Sequence, residues 1–243
     1  MTELLISTIA QGLQWSILAL GVFLTFRVLD IADLSVEGSF PLGAAVAATA
    51  ISSGCGFVAA SLLALVAGAL AGAVTGFLTT KLKIPALLAG ILTMIGLYSI
   101  NLHVMGKANI SLLQDETIFT WLEQATGLSS VWVACLIGFI VTAIVVNYIY
   151  WFFGTELGTA IRATGFNPQM ARAQGINTNM MVVLGLVISN ALVALSGAVV
   201  AQNNGFADVG MGVGTIVIGL ASVIIGEVII GNSSFKHYLV AVV

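Results

Sequence analysis

The side chains able to do chemistry are few and scattered. The two histidines, His103 and His237, sit in different loops or helix ends, and no Ser-His-Asp or metal-ligand set can be assembled around either. Cys55 and Cys135 lie beside or inside apolar runs with no His or Cys at ligand spacing, so both read as small core residues. The one Gly-Lys pair, Gly106-Lys107, has Asn101 where a phosphate-binding loop needs Gly, and Ala follows the Lys instead of Ser or Thr. No enzyme chemistry is written in these residues, and no cofactor or metal is expected.

Polar residues inside apolar windows are the alternative, since each must find a partner or face a cavity. Asn101, Ser189 and Asn190 qualify, as do the helix-end groups Asp30, Asp33, Glu37, Asn203, Asn204 and Asp208. Each either lines or gates a route, or makes an interhelical hydrogen bond where Gly185, Ser196 and Gly197 let backbones approach. Glu227 lies within the apolar stretch from Gly219 to Ile230, where a carboxylate needs Arg, Lys or backbone N–H groups. A structural or gating role is expected of it rather than proton carriage. With the other charges at helix ends, an ion-coupled carrier is the second choice.

The elements that hold these residues must sit in lipid. Of 243 residues, 59% are hydrophobic and only 7% charged, with mean hydropathy +1.13, where a soluble domain carries about a quarter charged. A net charge of −3 argues against a nucleic-acid partner. Apolar windows run from Leu4 to Leu29, Gly38 to Ser52, Phe57 to Thr80, Ile84 to Met105, Ser130 to Phe153, Met180 to Ala201 and Gly210 to Ile230. The first has no preceding basic residue and no cleavage site, so it reads as a membrane helix and not a signal peptide. An eighth segment begins at Tyr238 and is cut off at Val243. The expected fold is all-α, a polytopic transmembrane bundle of about 7–8 helices in one permease-like domain over residues 1–243. The window Gly38 to Ser52, with Pro41 and Gly43, is either short and tilted or broken and re-entrant, and the broken form is preferred.

With the N-terminus outside, Arg27, Lys81, Lys83, Arg162, Arg172 and Lys236 fall on the cytoplasmic side and only Lys107 outside, as the positive-inside rule requires. The outer loop then carries an amphipathic helix around Ile118, Phe119, Trp121 and Leu122, an interfacial anchor or a docking surface for an external protein. Leu18-Ala-Leu-Gly21 and Ala32-Asp-Leu34 are echoed by Val193-Ala-Leu-Ser196 and Ala207-Asp-Val209 at a constant offset of 175 residues. Either this is an inverted repeat or a coincidence of biased composition.

The inner loop, residues 154–178, is too long for a simple connection. Asn167 suits an N-cap, Pro168 the first helical position and Gly175 the residue after the helix, which predicts two turns over Pro168 to Gln174. Thr155 to Ala163 forms another short helix. So short a helix is marginal alone, and Met170, Ala171 and Ile176 would be exposed unless a cytoplasmic partner covers them. A helix lying flat on lipid headgroups is the other possibility.

The pattern Gly158-x-Ala160-x-Arg162-Ala163, followed by Asn167, Met170-Ala171 and Gly175-Ile176-Asn177-Thr178, resembles the coupling loop of permease subunits in bacterial ABC importers of the branched-chain amino acid and ribose permease superfamily. Asp30-Ile-Ala-Asp-Leu-Ser-Val-Glu-Gly-Ser-Phe-Pro-Leu-Gly43 resembles a second signature of that superfamily, and the branch resembled most carries tryptophan-, tyrosine- or similar solutes. The resemblance implies a multi-pass inner-membrane importer subunit with ATP bound by a separate ATPase. Its further partners would be an extracytoplasmic solute-binding protein and a second permease copy. ATPase coupling would fall to Arg162, Asn167, Met170, Ala171, Gly175, Ile176 and Asn177, and the pathway or its gates to Asp33, Glu37, Asn101, Asn190, Asn204, Asp208 and Glu227.

Overall fold

The computed structural model describes residues 2–230, of Thr2 and Ile230 the backbone only, together with Leu239, Ala241 and Val242. Ten helices are found among them: α1 Thr2–Phe23, α2 Val36–Ser52, α3 Phe57–Thr80, α4 Ala86–Met105, α5 Ile118–Thr126, α6 Ser130–Phe152, α7 Glu156–Phe166, α8 Pro168–Ala173, α9 Thr178–Asn204 and α10 Thr215–Ile230. A π-helical turn, Leu24–Val28, extends α1, and a 3-10 turn, Val209–Gly212, precedes α10. Six stretches among the described residues are long and apolar enough to cross a membrane, α10 counting with the turn before it. At 17 residues α2 is not one of them. The eighth segment from Tyr238 lies largely outside the described residues, as do Lys236 and His237; Leu239 and Val242 are buried in the core against α1.

The centre of the bundle is α9, which packs against α3, α2 and α1. Close approach is set by glycine: a Cβ on Gly43 would overlap the Ala194 carbonyl, and one on Gly197 the carbonyl of Phe40. This is the backbone-to-backbone packing that small residues permit where lipid supplies no hydrophobic drive between helices. Two ends of the bundle can be told apart. One carries α5 and a two-stranded antiparallel ribbon, β1 Asn109–Ser111 with β2 Phe206–Asp208. The other carries α7 and α8.

The internal echo has a structural counterpart. The Ser189 hydroxyl donates to the Gly21 carbonyl at 2.7 Å and the Ser196 hydroxyl to the Gln14 carbonyl at 2.9 Å, so α1 and α9 run antiparallel. Under the 175-residue offset Gly21 maps on Ser196 and Gln14 on Ser189, so each bond is the image of the other. The segments that follow match too: Asp33 Oδ1 accepts the Ser35 N–H at 2.9 Å, and Asp208 Oδ1 the Gly210 N–H at 2.7 Å. After its gap α2 starts beside Asn190, midway along α9, and runs toward the ribbon end. After its own gap α10 starts at Glu37 and runs the opposite way to Arg27.

Two expectations are corrected, and the outer-loop helix is found. Helix α2 is continuous through Pro41, and the break precedes it in residues 29–35, where Asp30 has φ +56°. Proline is tolerated because its missing N–H faces the Glu37 carbonyl in the first turns, beside which Gly212 packs. Cys55 is exposed in the turn after α2, and Cys135 is half-buried, so only the latter approaches a core position. The amphipathic α5 exists, capped by Thr117, but it buries Phe119 and sets Trp121 against Phe57 at a ring separation of 5.8 Å. It is therefore fastened to the bundle end.

Candidate functional site

The deepest polar cluster is built by the broken segment before α2. Asp33 is 3% exposed and Asn190 is fully buried. Asn190 Nδ2 donates to Asp33 Oδ2 at 2.9 Å, while Asn190 Oδ1 accepts the hydroxyls of Ser35 at 3.0 Å and Ser39 at 2.5 Å. Gly90 of α4 closes over this turn with no room for a side chain. Asp33 does lie at a helix end, but that helix starts in mid-bundle, so the carboxylate is as deep as Asn190.

Next to it, a cavity of about 300 Å³ lies between α2, α4 and the turn before α10. Glu37 and Asn101 line it, with Met94, Ile95, Tyr98 and Val213. Gly38 packs on Met94 and Leu97, at the middle of α4, so Glu37 is also a mid-bundle carboxylate and not a peripheral one. Its Oε1 accepts the Gly214 N–H at 3.1 Å, which sets one negative charge at the starts of both α2 and α10. Asn101 is fully buried; its Nδ2 donates to the Gly38 carbonyl at 3.3 Å, and its Oδ1 has no donor among the described residues.

At the other end the local signals in residues 154–178 fold as their types dictate. Asn167 Oδ1 accepts the N–H groups of Gln169 and Met170 at 3.1 and 3.0 Å, Pro168 opens α8, and Gly175 takes φ +82°. Asn177 caps α9 through Met180 N–H, and Arg172 Nε donates to Thr178. Met170 is 60% exposed and Phe166 91%. Arg162, also exposed, shares an open cavity of about 880 Å³ with them, with Arg27 and with Asp30. One expectation fails here: Ala171 is 2% exposed and does not present itself to a partner, while Ile176 is half-buried, packed on the apolar core and lining an open cavity with Arg172 and Asn177.

Glu227 has the pairing its setting requires. Its Oε1 is 2.8 Å from Arg27 Nε, an ion pair without an aligned hydrogen bond, joining α10 to the π-helical turn. Asn204 and Asp208 lie at the ribbon end, where Asn204 is exposed and Asp208 is bridged to Asn109 Nδ2 at 3.3 Å. Asp208 borders the Glu37 cavity, since Val209 and Gly210 line it and the Asp208 carboxylate accepts the Gly210 N–H. Tyr98 and Phe166 were not singled out by the sequence. The first looks like any aromatic in an apolar window, whereas the second, an aromatic in a loop of polar signals, was a visible clue.

Residues 4–240 match the family described as branched-chain amino acid transport system / permease component. The chain belongs to that family. It is 42% identical over 234 residues to a tyrosine transport system permease protein of Clostridioides difficile (strain R20291), covering 96% of this chain and 75% of the relative. It is 36% identical over 233 residues to the uncharacterized protein RP368 of Rickettsia prowazekii (strain Madrid E), with 96% and 78% covered. An autoinducer 2 import system permease protein, LsrC, of Yersinia pseudotuberculosis (strain PB1/+) is 32% identical over 203 residues, covering 78% of this chain and 52% of the relative. No solved structure matches. This chain is accordingly a permease component of a transport system, a multi-pass membrane protein with apolar spanning helices.

Proposed function

We propose that this permease is the membrane subunit of an ATP-driven importer of a small amino-acid-like solute. It would work as a pair of permeases with two separate ATPase subunits and an extracytoplasmic solute-binding protein in the bacterial inner membrane. The solute class rests on the name of the Clostridioides relative, a tyrosine transport system permease. The cytoplasmic side would be the end carrying α7 and α8, with the N-terminus outside, as the distribution of Lys and Arg requires. Support for an external energy source comes from the chain's lack of a nucleotide-binding loop.

The observation that carries the reading is the exposed apolar pair Phe166 and Met170 on either side of the capped Asn167 turn, with Arg162 beside it. Two large apolar side chains, one ending α7 and one on the capped α8 beyond the bundle end, are what a partner's groove would take up. Asn167, Gly175 and Asn177 would fix the geometry of that helix, while Ala171 and Ile176 would transmit its movement inward through their packing on α9 and the core. Met170→Glu should reduce co-purification of the ATPase encoded beside this permease and its stimulation, with the membrane fold intact. Wild-type binding and stimulation in Met170→Glu would remove the loop from this role.

A second reading has its own observation. The buried Asp33 in mid-bundle is the kind of group an ion-coupled carrier titrates. A partner on each of its two oxygens, the Ser35 N–H and Asn190 Nδ2, favours a fixed structural role instead.

A further inference from the structure

The cavity between α2, α4 and the start of α10 has a chemistry of its own. Glu37 is partly open to it, at the level of the middle of α4, where a carboxylate facing hydrocarbon is costly. The second polar group on its wall, Asn101, is oriented by its bond to the Gly38 carbonyl, and that bond leaves an acceptor, Oδ1, without a donor among the described residues. An unmet buried acceptor costs free energy and calls for a donor. Both groups thus ask for donors, and Glu37 repels anions. The remaining wall is apolar and aromatic: Met94, Ile95, Tyr98 and Val213. At about 300 Å³ the space is at the small end of ligand pockets.

We propose that this cavity is where the solute rests within the membrane, and that it recognises a protonated primary amine carried on an apolar or aromatic body. The ammonium, with three donors and no acceptor, bonds to the Glu37 carboxylate and to Asn101 Oδ1 as the cavity opens, and the Tyr98 ring covers the body. Glu37 keeps its hold on the Gly214 N–H, so the amine engages the starts of α2 and α10 together. These are the two half-helices related by the internal repeat, and binding there is sensed by both halves of the fold. The assignment rests on the permease reading, but its test does not require ATP.

The experiment uses the assembled transporter in membrane vesicles, with Cys55→Ser and Cys135→Ala removing the native thiols. Tyr98→Cys provides a thiol on one wall, and Val213→Cys, 83% exposed in the wild type, provides one on the other should the first not assemble. A cationic, water-soluble methanethiosulfonate should react about tenfold faster than an anionic one, and adding Glu37→Gln should bring the two rates together. Tyrosine and tyramine should slow the labelling, whereas 3-(4-hydroxyphenyl)propionate, which lacks the amine, should not. Equal rates for the two charges, or reaction only with a lipid-soluble maleimide, would show a lipid-facing or merely wet surface and overturn the proposal. So would labelling that no amine slows, or that the amine-free acid slows equally. Failure of the ATP-driven reading is seen separately, as transport that needs no ATP.

Discussion

Removing the side chain of Asn190 tests how the mid-bundle cluster is held. Between helices, Asn190→Ala deletes two neutral bonds, from the Ser35 and Ser39 hydroxyls, and the one N–H that α9 offers to Asp33; within α9 it also deletes the Nδ2 bond to the Leu186 carbonyl. Interhelical hydrogen bonds in membrane proteins average about 0.6 kcal/mol each, whereas a bond to a buried carboxylate is worth about 1.5–3 kcal/mol. Together the loss is about 3–4 kcal/mol, most of it from Asp33. At roughly 2–4 °C per kcal/mol for a chain of this size, the melting temperature of the purified protein should fall by about 6–16 °C. The shift is read by fluorescence-detected size-exclusion chromatography after heating. Because Asp33 and Asn190 form one network, the double variant Asp33→Asn/Asn190→Ala should cost clearly less than the two singles combined. A melting temperature within 2 °C of wild type, or strict additivity, would mean that the cluster does not bear on the fold as its geometry implies.

Other outcomes follow from particular residues. Asn167→Ala removes the cap of α8 and should cost about 1 kcal/mol locally, seen as faster amide exchange over residues 168–173 with the melting temperature unchanged. Ala171→Asp places a charge against the bundle at a site 2% exposed, so it should reduce folded yield outright, in contrast to Met170→Glu; equal effects of the two would contradict the burial described. Glu227→Gln breaks a partly exposed ion pair with Arg27, and should lower the melting temperature by no more than a few degrees. Single-cysteine labelling should reach position 162 only from the cytoplasm and position 115 only from outside; the reverse would invert the bundle.

Hydropathy alone made the long helices legible, and the caps of the loop could be read residue by residue: Asn167, Pro168 and Gly175 each do what their types predict. The break was visible but misplaced. Pro41 and Gly43 drew attention to α2, whereas the helix is interrupted in residues 29–35, where Asp30 takes φ +56° and Asp33 and Ser35 close a local turn that competes with helix. Depth was the property least accessible to sequence. Asp33 and Glu37 stand next to a charged loop in the linear chain, and only the mid-bundle start of α2 carries them to the level of Asn190 and Met94. The burial of Ala171 was hidden for a similar reason, since in a six-residue helix the periodicity cannot tell which face meets the bundle. The faint echo between Gly21 and Ser196 gained meaning only when both residues were found in equivalent hydrogen bonds.

The central claim, that this permease moves its solute by a partner's ATP hydrolysis, is tested most directly by uptake into proteoliposomes. These would contain the permease, its ATPase and its solute-binding protein, with radiolabelled tyrosine as probe. Uptake should require ATP on the ATPase side, continue when a proton uncoupler and a sodium ionophore are present, and survive at reduced rate in Asp33→Asn. Uptake without ATP that collapses with the ion gradient and is abolished by Asp33→Asn would contradict the account and make the chain an ion-coupled carrier.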